Sequence, residues 1–165
     1  MPWNDTDKQW MKRAIALARE GGAGRGKNPI GCVIVRDGQV IGEACNEVAL
    51  RHDATAHAEI LSLRRAGEML QCHDLTDAVL YTTLQPCGMC TMASIWAKIG
   101  RIVYGAGRDD VHEMYFEDRH LDTVDFVRDA YKDDLSLEGG LMVKECAALY
   151  VPPGADIPKD QQFNR

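Results

Sequence analysis

Positive charge is in short supply along this chain. Its 165 residues hold 19 Lys and Arg against 25 Asp and Glu, a formal net charge of −6. Proteins that grip a nucleic-acid backbone usually present a basic patch or stripe, so a small substrate is expected, with a nucleic-acid partner disfavoured but left open. No apolar run approaches the roughly 20 residues of a membrane span. The start, Met1-Pro2-Trp3-Asn4-Asp5, has neither a basic nor an apolar signal-peptide region. The expectation is a cytoplasmic protein with no membrane partner. Linkers and internal repeats are also missing, so one domain over 1–165 is expected, with 151–165 as a polar tail. Cysteine is not lacking: there are six. Without a secretory signal, and with two of them in a Cys-x-x-Cys, metal binding is a better expectation than three disulfides. Cys32, Cys45, Cys72 and Cys146 are expected to be small buried hydrophobes.

Local signals divide the chain into alternating elements. Thr6 and Gln9 fit a capping box that opens a first helix, with Trp10, Ala14, Leu17 and Ala18 on one face and Gly21-Gly22 as its end. The glycine-rich run 21–27 is a turn and not a phosphate loop, because Asn28 follows Gly26-Lys27. Segments 30–35 and 39–45 read as strands joined by an Asp37-Gly38 hairpin turn. A helix over 56–70 follows, with Asp53 or Thr55 as its cap. Then come a strand at 78–84, a helix from Pro86 to about 98 stopped by Gly100, and a strand at 101–104. Further on, a helix is expected between 121 and 131, a strand at 135–138 and a helix at 141–150 ended by Val151-Pro152-Pro153. This order implies an α/β sheet with helices on its faces.

Two short segments carry the chemistry: His57-Ala58-Glu59 and Pro86-Cys87-Gly88-Met89-Cys90. One imidazole and two thiolates are the ligand set of a zinc ion that keeps its fourth position open. Cys87 and Cys90, three apart at a helix start, put both sulfurs on one side, where the positive helix end favours thiolate. His57 and Glu59, two apart, converge only if their helix points end-on at the site. Zinc lowers the pKa of its water to about 7. Glu59 beside it can then carry protons to a ring nitrogen and to departing ammonia. A structural zinc would need a fourth ligand, and His52, His73, His112 and His120 are not spaced to nominate one. A non-catalytic, zinc-stabilised binding module is the competing class, and Glu59 has no use in it. The H-x-E…P-C-x-x-C pattern is the known signature of zinc-dependent base deaminases, so the match is one of recognition.

With these residues the chain resembles the cytidine deaminase superfamily over almost its whole length. The resemblance implies a three-layer α/β/α fold with a five-stranded mixed sheet and one catalytic zinc ion per chain. It implies His57, Cys87 and Cys90 as ligands, Glu59 as proton shuttle, and a homodimer with the helix after Cys87 in the interface. Backbone N–H groups near Ala58 and Cys87, beside Pro86, would hold the substrate. Asn46 would contact the base or ribose, and Ile30 and Trp96 would wall the pocket. Segments 51–60, 99–106 and 145–149 resemble tRNA adenosine deaminases, whereas Leu80-Tyr81-Thr82-Thr83-Leu84 resembles fungal cytosine deaminase. After Ala106 the chain departs from the tRNA enzymes: 108–118 resembles guanine deaminases, in which a loop acid reads the purine and an aromatic lines the pocket. Asp109, Asp110 and Phe116 are the candidates here, and Phe163 is similar to C-terminal aromatics that cover some free-base sites. From Asp109 to Asp134 there are ten acidic residues against Arg119, Arg128 and Lys132, a balance that repels phosphates. The resulting expectation is hydrolytic deamination of a small nucleobase or nucleoside, guanine-like before cytosine, with a tRNA-specific adenosine deaminase as the alternative.

Overall fold

The hairpin at Asp37-Gly38 starts the sheet. In the computed structural model, which describes residues 3–22, 28–116, 122–128 and 135–162, β1 (Gly31–Arg36) and β2 (Gln39–Cys45) run antiparallel. Both turn residues take positive φ, 52° and 72°, as the twist of a two-residue hairpin requires. β3 (Val79–Leu84) pairs antiparallel with β1, β4 (Arg101–Ala106) lies parallel to β3, and β5 (Ser136–Gly139) is parallel to β4. The sheet is mixed and five-stranded, in the order β2-β1-β3-β4-β5.

Alternation along the strands assigns the helices to two faces. On one face Tyr81 bonds Asp7 of α1 (Asp5–Gly22), and a Cβ on Gly31 would lie 2.0 Å from the Ala14 carbonyl oxygen. The same face carries α6 (Val143–Ala147), where Cys146 fills the space above Gly105. On the opposite face, a Cβ on Gly42 would lie 2.2 Å from the Ser62 carbonyl oxygen of α3 (Ala58–Leu70), and α4 (Gly88–Trp96) packs beside α3. The layers are therefore α/β/α. A single turn, α2 (Val48–Arg51), precedes α3, and α5 (Thr123–Arg128) touches α4 and β5. Among the described residues no helix is long and apolar enough to cross a membrane.

Several local expectations shift. The first helix starts earlier than Thr6: Asn4 Oδ1 accepts the Asp7 N–H (2.7 Å), and Asp7 Oδ2 accepts the Asn4 N–H (3.3 Å), a reciprocal cap. Its buried stripe is Asp7, Met11, Ala14, Ile15 and Ala18, so the frame moves by one residue at Met11 and Ile15. Asp53 and Thr55 bond each other in a local turn, and His57 is the cap residue of α3. α4 ends at Trp96, and Lys98 takes a left-handed conformation (φ 59°) before Gly100 is reached. The last helix is only Val143–Ala147, because Leu141 and Tyr150 leave helical geometry to bury in the core. Of the helix expected at 121–131, only 122–128 is described. Cys32 and Cys146 are buried as expected, whereas Cys45 is half-buried and Cys72 exposed. No disulfide joins any of the six cysteines.

Candidate functional site

β1 runs opposite to β3, so the start of β1 and the ends of β2, β3 and β4 share one edge of the sheet. Asn46 N–H bonds the Ile30 carbonyl there (3.0 Å), and Gln85 N–H bonds the Ala106 carbonyl (2.8 Å). The N-termini of α3 and α4 meet above this edge. His57 has extended geometry (φ −67°, ψ 152°) outside the first turn of α3, while Ala58 and Glu59 lie within it. That break lets side chains two residues apart converge. Cys87 likewise precedes α4, and Cys90 completes the turn.

His57 Nδ1 lies 3.7 Å from Cys87 Sγ and 3.6 Å from Cys90 Sγ, and the three donor atoms all fall within 4.8 Å of one another. Tetrahedral zinc, with nitrogen at about 2.0 Å and sulfur at about 2.3 Å, separates such donors by roughly 3.5 Å. The donor set fits zinc in both chemistry and spacing. Among the described residues it is the one cluster of this kind. The thiols share protons unequally. A hydrogen bond from Cys90 is the first cause that holds Cys87 well below the usual thiol range, and His57 adds to it. Donating that bond pushes Cys90 up, and burial and Glu59 push it further.

Glu59 is buried beside the cluster and outside it. Its Oε2 lies 3.5 Å from Cys90 Sγ, and its Oε1 accepts a 2.6 Å hydrogen bond from the Thr82 hydroxyl. Burial raises its pKa; the Thr82 bond opposes this, Cys87 reinforces it, and the net direction is up. A carboxylate raised in this way holds a proton more readily, which suits it to deliver one as well as accept one. Sequence inspection missed Thr82. Its signal was two adjacent threonines, Thr82 and Thr83, in a strand buried on both faces, where each hydroxyl needs a partner.

The other sequence candidates divide. Ile30, Asn46, Ala58 and Pro86 all lie on this edge and are buried. Asn46 Oδ1 accepts the Val48 N–H (3.1 Å), which is also a turn role. Ala58 opens α3, in the turn whose amides lack intrahelical acceptors. Trp96 lies apart from these residues. It ends α4, eight residues beyond Gly88, is 77% exposed, and lines an outer groove with Ile60, Leu63 and Leu75. Helical rise carries it about 12 Å from the end of α4 that bears the cysteines. Asp110 Oδ2 caps the Gly107 N–H (2.8 Å). Asp109 lines a cavity of about 430 Å³ between Arg108–Glu113 and 153–155, whose walls hold no zinc ligand. Phe116 packs into the core, with the Arg108 guanidinium 4.6 Å from its ring centre. Phe163 lies outside the described residues. The tail is not loose throughout: Val151 N–H bonds the Tyr115 hydroxyl (3.2 Å) and the Ala155 carbonyl bonds His112 Nε2 (3.1 Å).

Comparison with known proteins agrees with this geometry. The family model for the cytidine and deoxycytidylate deaminase zinc-binding region matches residues 4–106. The chain is 44% identical over 113 residues to the guanine deaminase of Bacillus subtilis, covering 68% of this chain and 72% of that protein. It is 35% identical over 146 residues to the tRNA-specific adenosine deaminase of Buchnera aphidicola, covering 88% and 92%. The solved guanine deaminase of Nitrosomonas europaea superposes with a TM-score of 0.75 at 27% identity, over 86% of this chain and 81% of that one. An imidazole, two thiols and a buried carboxylate on two converging helix starts, within the matched region, are what a hydrolytic deaminase requires, and this chain belongs to the cytidine and deoxycytidylate deaminase zinc-binding family.

Proposed function

We propose that this deaminase hydrolyses the ring amine of a small nucleobase or nucleoside, guanine-like substrates first and cytosine second, with His57, Cys87 and Cys90 holding the zinc and Glu59 moving the protons. The observation that carries the small-substrate reading is the acidic segment after β4. Asp109, Asp110, Glu113, Asp122 and Asp125 stand exposed along it, and Arg128 is bonded to Asp125. A surface of that sign disfavours a phosphate backbone. Zinc, when bound, supplies the Lewis acidity that makes water nucleophilic near neutral pH. Glu59 would take one proton from the attacking water and pass it to the ring nitrogen beside the attacked carbon, then take the remaining hydroxyl proton and deliver it to the amine, which leaves as ammonia. Thr82 holds one carboxylate oxygen, which directs the other towards the cluster.

The second reading is a tRNA-specific adenosine deaminase, supported by the extent of the match to the Buchnera protein. Ammonia release from guanine, cytosine, adenine, their nucleosides and an anticodon stem-loop tests both. Turnover of a small substrate supports the first reading, and turnover of the stem-loop alone overturns it. Glu59→Gln should keep zinc and fold while ammonia release disappears; unchanged release would sink the mechanism. The outer groove beside Trp96, with Met89 and Met92 exposed on the same helix, supports a second copy of the chain as its cover.

A further inference from the structure

Gln85 does something the deamination chemistry does not ask of it. It sits two residues before Cys87 and is 7% exposed. Its Nε2 donates to Asp122 Oδ1 (3.2 Å) and to Thr123 Oγ1 (3.1 Å). Asp122 fixes the amide orientation, since only nitrogen can donate to a carboxylate. Asp122 Oδ1 also accepts the Val124 N–H (3.0 Å), so the atom that caps α5 is the atom Gln85 holds. Because α5 packs on α4, this contact places the start of α5 beside the helix start that carries Cys87 and Cys90.

We infer that Gln85 is a positioning residue that latches α5 as a wall of the substrate site and thereby sets substrate affinity, leaving the proton chemistry to Glu59. A neutral donor is required at this point. A glutamate of the same length would face Asp122 carboxylate to carboxylate, losing both donated bonds and adding repulsion. An exchange of the two groups, amide for carboxylate on each side, restores a donor–acceptor pair with its polarity reversed. Asparagine at 122 still offers Oδ1 to Val124, and its nitrogen can donate across. The inference rests on the proposed substrate reading for its kinetic arm only.

The test compares wild type, Gln85→Glu, Asp122→Asn and the Gln85→Glu/Asp122→Asn double variant, all zinc-loaded. Amide hydrogen exchange over 122–128 is measured together with KM and kcat on whichever substrate wild type turns over. Gln85→Glu should speed exchange there and raise KM by roughly tenfold, with a much smaller change in kcat, as expected for loss of the donated bonds together with the added repulsion. Asp122→Asn should stay near wild type, and the double variant should recover both quantities. Unchanged exchange and KM in Gln85→Glu overturns the latch, as does a folded double variant that recovers neither. A loss confined to kcat also overturns it. If wild type turns over none of the substrates, the functional proposal fails, while the exchange data still decide whether Gln85 holds α5.

Discussion

Glu59 acquires its character from neighbours that are distant in sequence. Burial pushes its proton affinity up, and the hydroxyl of Thr82, 23 positions away, limits the rise and fixes one oxygen. Thr82→Val keeps the shape of the side chain and removes the donor. Hydrogen bonds to charged groups contribute about 1.5–3 kcal/mol, so kcat should fall by roughly tenfold or more while zinc content stays unchanged, as metal analysis beside steady-state kinetics would reveal. Asp7 illustrates the same dependence away from the site. Burial opposes its ionisation, but hydrogen bonds from Arg101 (2.7 Å) and Tyr81 (2.8 Å) outweigh that and hold its pKa below the ordinary 3.8. A carboxylate lowered by folding adds stability above its unfolded pKa, and that stability is lost as pH falls through the folded value. Asp7→Asn should therefore cost roughly 2 kcal/mol near neutrality and flatten the loss of stability below about pH 4, as denaturant midpoints across pH would record. The zinc ligands and Glu59 were legible from residue type and spacing. Thr82 and Asp7 were not, because a hydroxyl or carboxylate declares its partner only when the strand register is known.

At the scale of elements, the site depends on two helices being aimed correctly. His57 and Cys87 precede their helices in extended geometry, and this resolves the apparent conflict of a His and a Glu two residues apart. α3 is held against β2 by close backbone approach at Gly42, where a Cβ would lie 2.2 Å from the Ser62 carbonyl oxygen and 2.9 Å from the Ala66 nitrogen. Gly42→Ala must push α3 outward. We expect a loss of about 3 kcal/mol, towards the top of the range for overpacking, together with weaker zinc retention, because His57 moves with its helix. Thermal melts paired with a zinc competition assay would check both, and a variant that melts like wild type and keeps its zinc would contradict the packing account. Strong punctuation survived from sequence to structure, as at Asp37-Gly38. Caps did not: Thr6 could cap as well as Asn4 by composition, and the choice went to the frame in which Asp7 meets Tyr81 and Arg101.

Across the whole molecule, the antiparallel β1 and the parallel β3 and β4 bring Ile30, Asn46, Pro86 and Gly107 to one edge, although they span 78 positions of the chain. Trp96 belongs to another surface. It is 77% exposed with an apolar groove beside it, and the proposed second copy of the chain would cover that surface. Trp96→Arg should shift the protein from dimer to monomer in sedimentation velocity without unfolding it. A wild type that sediments as a monomer at every concentration would remove the second copy from the proposal.

By itself the sequence determined the zinc donor set, the carboxylate beside it, the hairpin and the alternation of strands and helices. Each of these is written in residue types at short spacing, where local backbone geometry is enough to judge them. Only the tertiary structure decided that Thr82 restrains Glu59, that Gln85 reaches Asp122, and that Trp96 faces outward from the far end of α4. Those relations depend on strand register and helix direction, through which residues far apart in the chain become neighbours, and no local pattern encodes them.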